Sequence, residues 1–241
     1  MADNYLEQRM EDLRSGRLKQ QSGQIQRAGL SPKRGYIQFP FPPRRVLIVG
    51  RPDVIGGEIV RSYLRTGCRV AVFDNSSEPG ERMAKEEGIR FSKVDLCDEE
   101  SLQNAFEKLL KAWLDVDVVI NCVVERGPER FDAFLGLLRI WDLHRKRFPI
   151  PTDYGGRIIN VVSEKTLSQL HAKTNYGTQT IEEMIMMEQK EALTEFHTAA
   201  NFLSLCGENT DNLAIQTART CLFLSLPGNE CISAETIRLS K

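Results

Sequence analysis

The stretch Val46-Leu-Ile-Val-Gly50-Arg-Pro-Asp-Val-Ile-Gly56-Gly57 decides how this chain is read. Four apolar, mostly β-branched residues run without interruption into a glycine, and a helical pattern follows from Gly56 to Leu64. A short apolar run closed by a turn residue reads as a buried strand, and glycine allows the chain to turn sharply at its end. The unit is therefore strand, tight turn, helix.

Working outward, the same alternation recurs. Arg69–Phe73, Ile89–Val94, Asp117–Asn121 and Arg157–Val162 read as strands, with helical patterns at Glu78–Glu87 and Glu99–Trp113 between the earlier ones. Near-continuous Val/Ile runs alternating with amphipathic helices predict a mainly parallel sheet covered on both faces, a doubly wound α/β domain. Residues 45–241 read as that single domain. Residues 1–44 differ: Leu6, Met10 and Leu13 share one helical face, and a Gln-rich stretch then leads to Phe39-Pro-Phe-Pro-Pro43, which proline keeps extended. This N-terminal arm is either a loose leader or a segment that docks on the core or on a partner subunit.

Composition narrows the function classes. At 241 residues, 41% hydrophobic and 27% charged, the chain is long enough for one large core, and its net charge of −1 gives no footing for nucleic acid or an anionic membrane. The beginning of the chain has no basic-then-apolar leader, and no apolar run approaches the roughly 20 residues of a membrane helix, so a cytoplasmic setting is expected. Cys68, Cys97, Cys122, Cys206, Cys221 and Cys231 are scattered without a C-x-x-C pair, and His144, His171 and His197 are equally dispersed. No metal centre or disulfide framework is expected from such spacing.

The first turn carries chemistry. Glycines there permit close approach to a pyrophosphate held at the helix N-terminus, and Gly50 and Gly56 occupy the outer places of a G-x-x-x-G-x-G pattern whose middle place is Val54. Asp74 ends the second strand, 24 residues beyond Gly50, where a carboxylate can accept from both hydroxyls of a ribose. The third strand ends in Val94-Asp95-Leu96 and the fourth in Asn121-Cys-Val-Val124. Gly156-Arg-Ile-Ile-Asn-Val leads to Ser163, and Tyr176 follows thirteen residues later. Together these positions resemble the short-chain dehydrogenase/reductase family, over roughly residues 45–239.

That resemblance implies a Rossmann sheet of about seven strands. The sixth strand falls near Ala199–Gly207 and the last within Cys231–Leu239, with a helix from about Tyr176 to Phe196 and another ending at Leu224. It implies that Gly50, Arg51, Ile55 and Gly56 shape the pyrophosphate turn and that Asp74 holds the adenosine ribose. Asp95 and Leu96 would bracket the adenine, and Asn121 would lie towards the nicotinamide. Asp74 favours NAD over NADP. Ser163 would orient a carbonyl or alcohol oxygen and Tyr176 would exchange its proton, on a small carbonyl or alcohol substrate. A homodimer or tetramer is implied as well.

The chain also departs from the pattern. Thr180 stands where the family places the lysine one helical turn after the tyrosine, and no asparagine occurs between Arg126 and Tyr154 to serve a water relay. Pro52 removes an N–H from the turn, and Asp53 sits near the phosphate place or caps the following helix. Gly207 is followed almost at once by the next helical run, with no room for a substrate lid. Three functions follow as expectations: an oxidoreductase of reduced activity, a non-catalytic nucleotide sensor, or a structural protein that keeps the scaffold for oligomerisation.

Overall fold

Strand β1 (Arg45–Val49) forms at the first apolar run, with Val46 to Val49 all buried. The computed structural model describes residues 41–50, 53–123, 129–148, 155–173, 181–192, 198–207 and 210–240. The arm expected over residues 1–44 lies, as far as residue 40, outside the described residues, as do Arg51, Tyr176 and Thr180. After β1 come α1 (Val54–Arg65), β2 (Arg69–Asp74), α2 (Ser77–Glu87), β3 (Arg90–Lys93), α3 (Glu99–Trp113), β4 (Val118–Val123) and α4 (Glu129–Arg147). The second half adds β5 (Arg157–Ser163), α5 (Glu164–Lys173), α6 (Ile181–Ala192), β6 (Ala199–Leu205), α7 (Asp211–Leu224) and β7 (Thr236–Leu239).

The seven strands form one parallel sheet in the order β3-β2-β1-β4-β5-β6-β7. The order reverses between β1 and β4, so the ends of these two strands form the crevice where open α/β sheets bind ligands. In register, Val49 lies between Phe73 and Asn121, Asn121 pairs with Asn160, and Ser163 with Leu205.

Side chains alternate across each strand, which divides the core into two layers. Leu47, Phe73, Val119 and Phe202 pack with Phe106 of α3, Trp141 of α4 and Met186 of α6. Val46, Ile48 and Val161 pack on the other face with Ile59 and Tyr63 of α1 and Cys221 of α7. Burial of each large apolar side chain contributes about 1.5–3 kcal/mol, and these two layers supply the main driving force. Tyr63 is fully buried, and its hydroxyl meets the Ser225 hydroxyl at 2.6 Å and the Cys221 carbonyl at 3.0 Å. Desolvation pushes its pKa well up, so the phenol stays neutral and ties α1 to α7.

Local signals set the helix ends. Asp98 caps α3 by accepting the Ser101 N–H at 3.0 Å, and Gly88 ends α2 in the left-handed region. Helix α5 is an addition to the elements expected from sequence. The helix expected over about Tyr176–Phe196 is described as α6, Ile181–Ala192, and the residues on either side of it lie outside the described set. The last strand begins at Thr236, because Asn229–Cys231 forms a short 3₁₀ turn in front of it.

At the amino edge of the sheet, charge is closely paired. The Arg45 guanidinium donates to Asp117 at 2.7 and 3.0 Å and to the Trp113 carbonyl at 3.2 Å. Asp115, 1% exposed, accepts from Trp141 Nε1 at 2.9 Å and from the Arg145 guanidinium at 3.1 and 3.3 Å. Arg145 also lies over the Trp141 ring, 4.4 Å from its centroid. Such pairs are hydrogen-bonded on both sides, as buried charges must be.

Candidate functional site

The carboxyl edge of the sheet brings most of the expected site residues together. Gly50 follows β1 with φ +136° and donates its N–H to the Phe73 carbonyl at 2.9 Å, tying the turn to β2. A Cβ at this position would collide with the Cys122 carbonyl oxygen. Glycine is required here for backbone conformation and for the close passage of the turn over β4. Ile55, in the first turn of α1, is fully buried, and Gly56 next to it is buried too.

Asp53 takes an extended conformation at the N-cap of α1, and its Oδ1 accepts the Gly56 N–H at 2.9 Å. Of the two places the sequence left open for Asp53, the cap is therefore formed. Val54, in the place of the middle glycine, is 46% exposed at the start of the helix.

Asp74 closes β2 and is fully buried, while its backbone carbonyl accepts the Val94 N–H at 2.9 Å. Beyond β3, exposed Asp95 accepts the Cys97 N–H at 3.0 Å and its own N–H reaches Ser101 Oγ at 3.3 Å. Leu96 next to it is 2% exposed and belongs to the layer under α3 and α4. The geometry thus sets Asp95 at the surface and Leu96 beneath it, on the β2–β3 side of the crevice.

Asn121 on β4 is 2% exposed and donates to Asn160 Oδ1 at 3.2 Å. Asn160 in turn pairs with Gln189 of α6 through two amide hydrogen bonds of 2.9 and 3.1 Å. Gln189 is fully buried, and this chain of amides pins α6 to the two central strands. Sequence reasoning does not pick out Gln189. Its only signal is a polar residue within an otherwise apolar helical stripe with Ile185 and Met186.

Ser163 ends β5, and its hydroxyl accepts the Thr166 N–H at 3.1 Å and meets Thr166 Oγ1 at 2.8 Å. This is an N-cap arrangement, and it explains why α5 starts at Glu164. Across the strand ends, Cys206 lies one residue past Leu205, beside Glu164. Burial and a hydrogen bond to the Glu164 carboxylate push the Cys206 thiol up, while Arg238 draws it down. Strand β6 ends at Leu205 and α7 starts at Asp211, so only five residues connect them. Tyr176, the expected proton donor, lies outside the described residues.

Comparison with known proteins fits this geometry. Residues 44–135 match the family model for short chain dehydrogenase. That match runs from β1 to the start of α4, well under half of the chain. A sorbitol dehydrogenase of Cereibacter sphaeroides is 27% identical over 135 residues, covering 50% of this chain and 53% of that protein. An uncharacterized oxidoreductase of Thermotoga maritima is 30% identical over 80 residues, 31% of each chain. The chain thus spans about half, or less, of the length of these curated relatives.

Among solved structures, a hydroxysteroid dehydrogenase from Escherichia coli superposes with a TM-score of 0.63 at 15% identity, covering 81% of this chain and 94% of that one. A short-chain dehydrogenase/reductase from Serratia marcescens gives 0.55 at 16%, covering 84% and 98%. At such identities the likeness is one of fold.

Proposed function

We propose that the protein binds NAD(H) at the crevice between β1 and β4 and acts as a short-chain oxidoreductase on a small carbonyl or alcohol. The observation that carries this reading is Asp74. It places a carboxylate at the carboxyl end of β2, beside the Gly50 turn, within the segment that matches the family. A carboxylate at that place accepts from ribose hydroxyls and repels a 2′-phosphate, which favours NAD over NADP. The glycine turn and the strand-end carboxylate fit a dinucleotide, and Asp53 is the exception, because a negative charge caps the helix end that a phosphate uses.

In this reading Gly50, Arg51, Ile55 and Gly56 form the pyrophosphate turn and Asp74 holds the ribose. Asp95 and Leu96 flank the adenine, and Asn121 backs the nicotinamide end. NAD(H), when held there, would supply or accept the hydride of the substrate carbon. Tyr176 delivers a proton to the carbonyl oxygen, and Ser163 orients that oxygen. Thr180 stands where the family places a lysine, and a tyrosine with no cation beside it ionises at only about one in 10³ at pH 7. Reduction, which needs the protonated phenol, is favoured over oxidation, which needs the phenolate.

Calorimetric titration with NAD and NADH, followed by NADH absorbance with a panel of small carbonyls, tests the proposal. Binding together with turnover that disappears in Tyr176→Phe is expected. Absence of binding at millimolar cofactor overturns it.

The Ser163 cap favours a second reading, a nucleotide sensor without turnover, since the hydroxyl is held by Thr166. Tight NADH binding with no Tyr176-dependent turnover on any carbonyl is its signature. A homodimer or tetramer and a cytoplasmic setting belong to both readings, and a clean monomer by light scattering removes the first of these.

A further inference from the structure

We infer that Asp53 sets the protein's affinity for its dinucleotide, by holding a carboxylate where the pyrophosphate would dock. The inference rests on the NAD(H)-binding reading and concerns the same turn. A helix N-terminus attracts anions because its first N–H groups lack intrahelical partners and the aligned peptide dipoles place partial positive charge there. In a dinucleotide fold the helix after the first strand offers that end to the pyrophosphate.

Here the end is already engaged from within the chain. Asp53 Oδ1 takes the Gly56 N–H at 2.9 Å, and the Asp53 backbone carbonyl takes the Gly57 N–H at 2.7 Å. The first turn of α1 contains no acidic residue, and Asp53 at its N-cap places one carboxylate at this helix end. A full carboxylate charge outweighs the partial positive charge of the helix end. An arriving pyrophosphate therefore meets a carboxylate at the helix end that would otherwise attract it. A neutral cap would remove that repulsion and keep the hydrogen bond, because serine and asparagine cap helices as well as aspartate does.

The test compares the wild type with Asp53→Ser and Asp53→Asn in the full chain, by calorimetric titration with NADH and with adenosine. Adenosine carries the ribose and the base without phosphate. The expected result is NADH binding about fivefold to tenfold tighter in the neutral variants at low salt, the order of one screened charge contact. That advantage should shrink as salt is raised, because screening weakens exposed charge interactions. Adenosine affinity should not move.

Equal NADH affinity in wild type and variants overturns the role of Asp53 and leaves the binding reading intact. A matching gain for adenosine also overturns it, since the effect would then come from loosening the turn. Failure of all three proteins to bind either ligand at millimolar concentration removes this inference and the binding reading together. Thermal midpoints within a few degrees of wild type verify that the cap survives, and the asparagine variant serves if the serine variant lowers the midpoint.

Discussion

At the amino edge of the sheet, Arg45 and Arg145 meet Asp115 and Asp117 in direct ion pairs, and Trp141 adds an N–H to the same carboxylate. At the carboxyl edge, Asp53, Asn121 and Ser163 turn their polar groups onto a backbone N–H, a neighbouring amide and a helix start. The first arrangement joins β1, the α3–β4 connection and α4, elements distant in sequence. The second is local except for the amide chain to α6. The difference teaches that polar side chains at the carboxyl end of the sheet have taken structural duties, while the opposite end holds the halves of the sheet together.

The largest expected effect tests the amino edge. Asp115→Ala leaves the Trp141 N–H and much of the Arg145 guanidinium without their acceptor in a buried place. We expect a loss of about 3–5 kcal/mol in urea denaturation. A loss under ~1 kcal/mol would mean that water or rearrangement replaces the carboxylate, and the contrast between the edges would weaken.

Ser163→Ala tests the carboxyl edge. Removing an N-cap hydroxyl costs about 1 kcal/mol, and Ser163→Asp should restore it. If stability returns with aspartate while NADH turnover does not, the hydroxyl serves both the cap and the substrate. Unchanged stability in Ser163→Ala would remove the capping role.

The smallest effect is in pH. Burial alone would raise the Asp117 pKa, but hydrogen bonds and the charge of Arg45 outweigh it and hold the carboxyl below its ordinary value. Its contribution to stability is therefore complete above the unfolded value of about 4 and is lost as pH falls through the folded one. Denaturation midpoints should decline on the acid side of that value in the wild type, with a shallower slope in Asp117→Asn. Parallel slopes would show that the pair adds nothing to acid stability.

Much of the fold is legible in the sequence because buried parallel strands have little freedom in composition. The run Val46–Val49 and the exact agreement at Glu99–Trp113, where Asp98 supplies the cap, are cases in point. Helix α5 is less legible because Ser163 carries two meanings. As a cap followed by Leu167 and Leu170 it signals a helix, and as part of a Ser–Tyr spacing it signals a catalytic loop. The same ambiguity attaches to Asp53, whose capping bond to Gly56 only the side-chain geometry shows. Gln189 pairs with Asn160, 29 positions away, and such a pairing has no periodic trace in one sequence.

The strand order has a consequence for how the chain reaches this structure. β1 finds its first neighbour, β2, within a short span, but its second, β4, starts more than seventy positions later, and the Arg45–Asp117 contact spans 72 residues. A chain in which β1, β2 and β3 paired first would present the free side of β1 to water. Long-range parallel pairing is slow, and exposed strand edges invite association between chains. The Arg45–Asp117 pair lies at the start of this seam, where β1 and β4 join the two halves of the sheet.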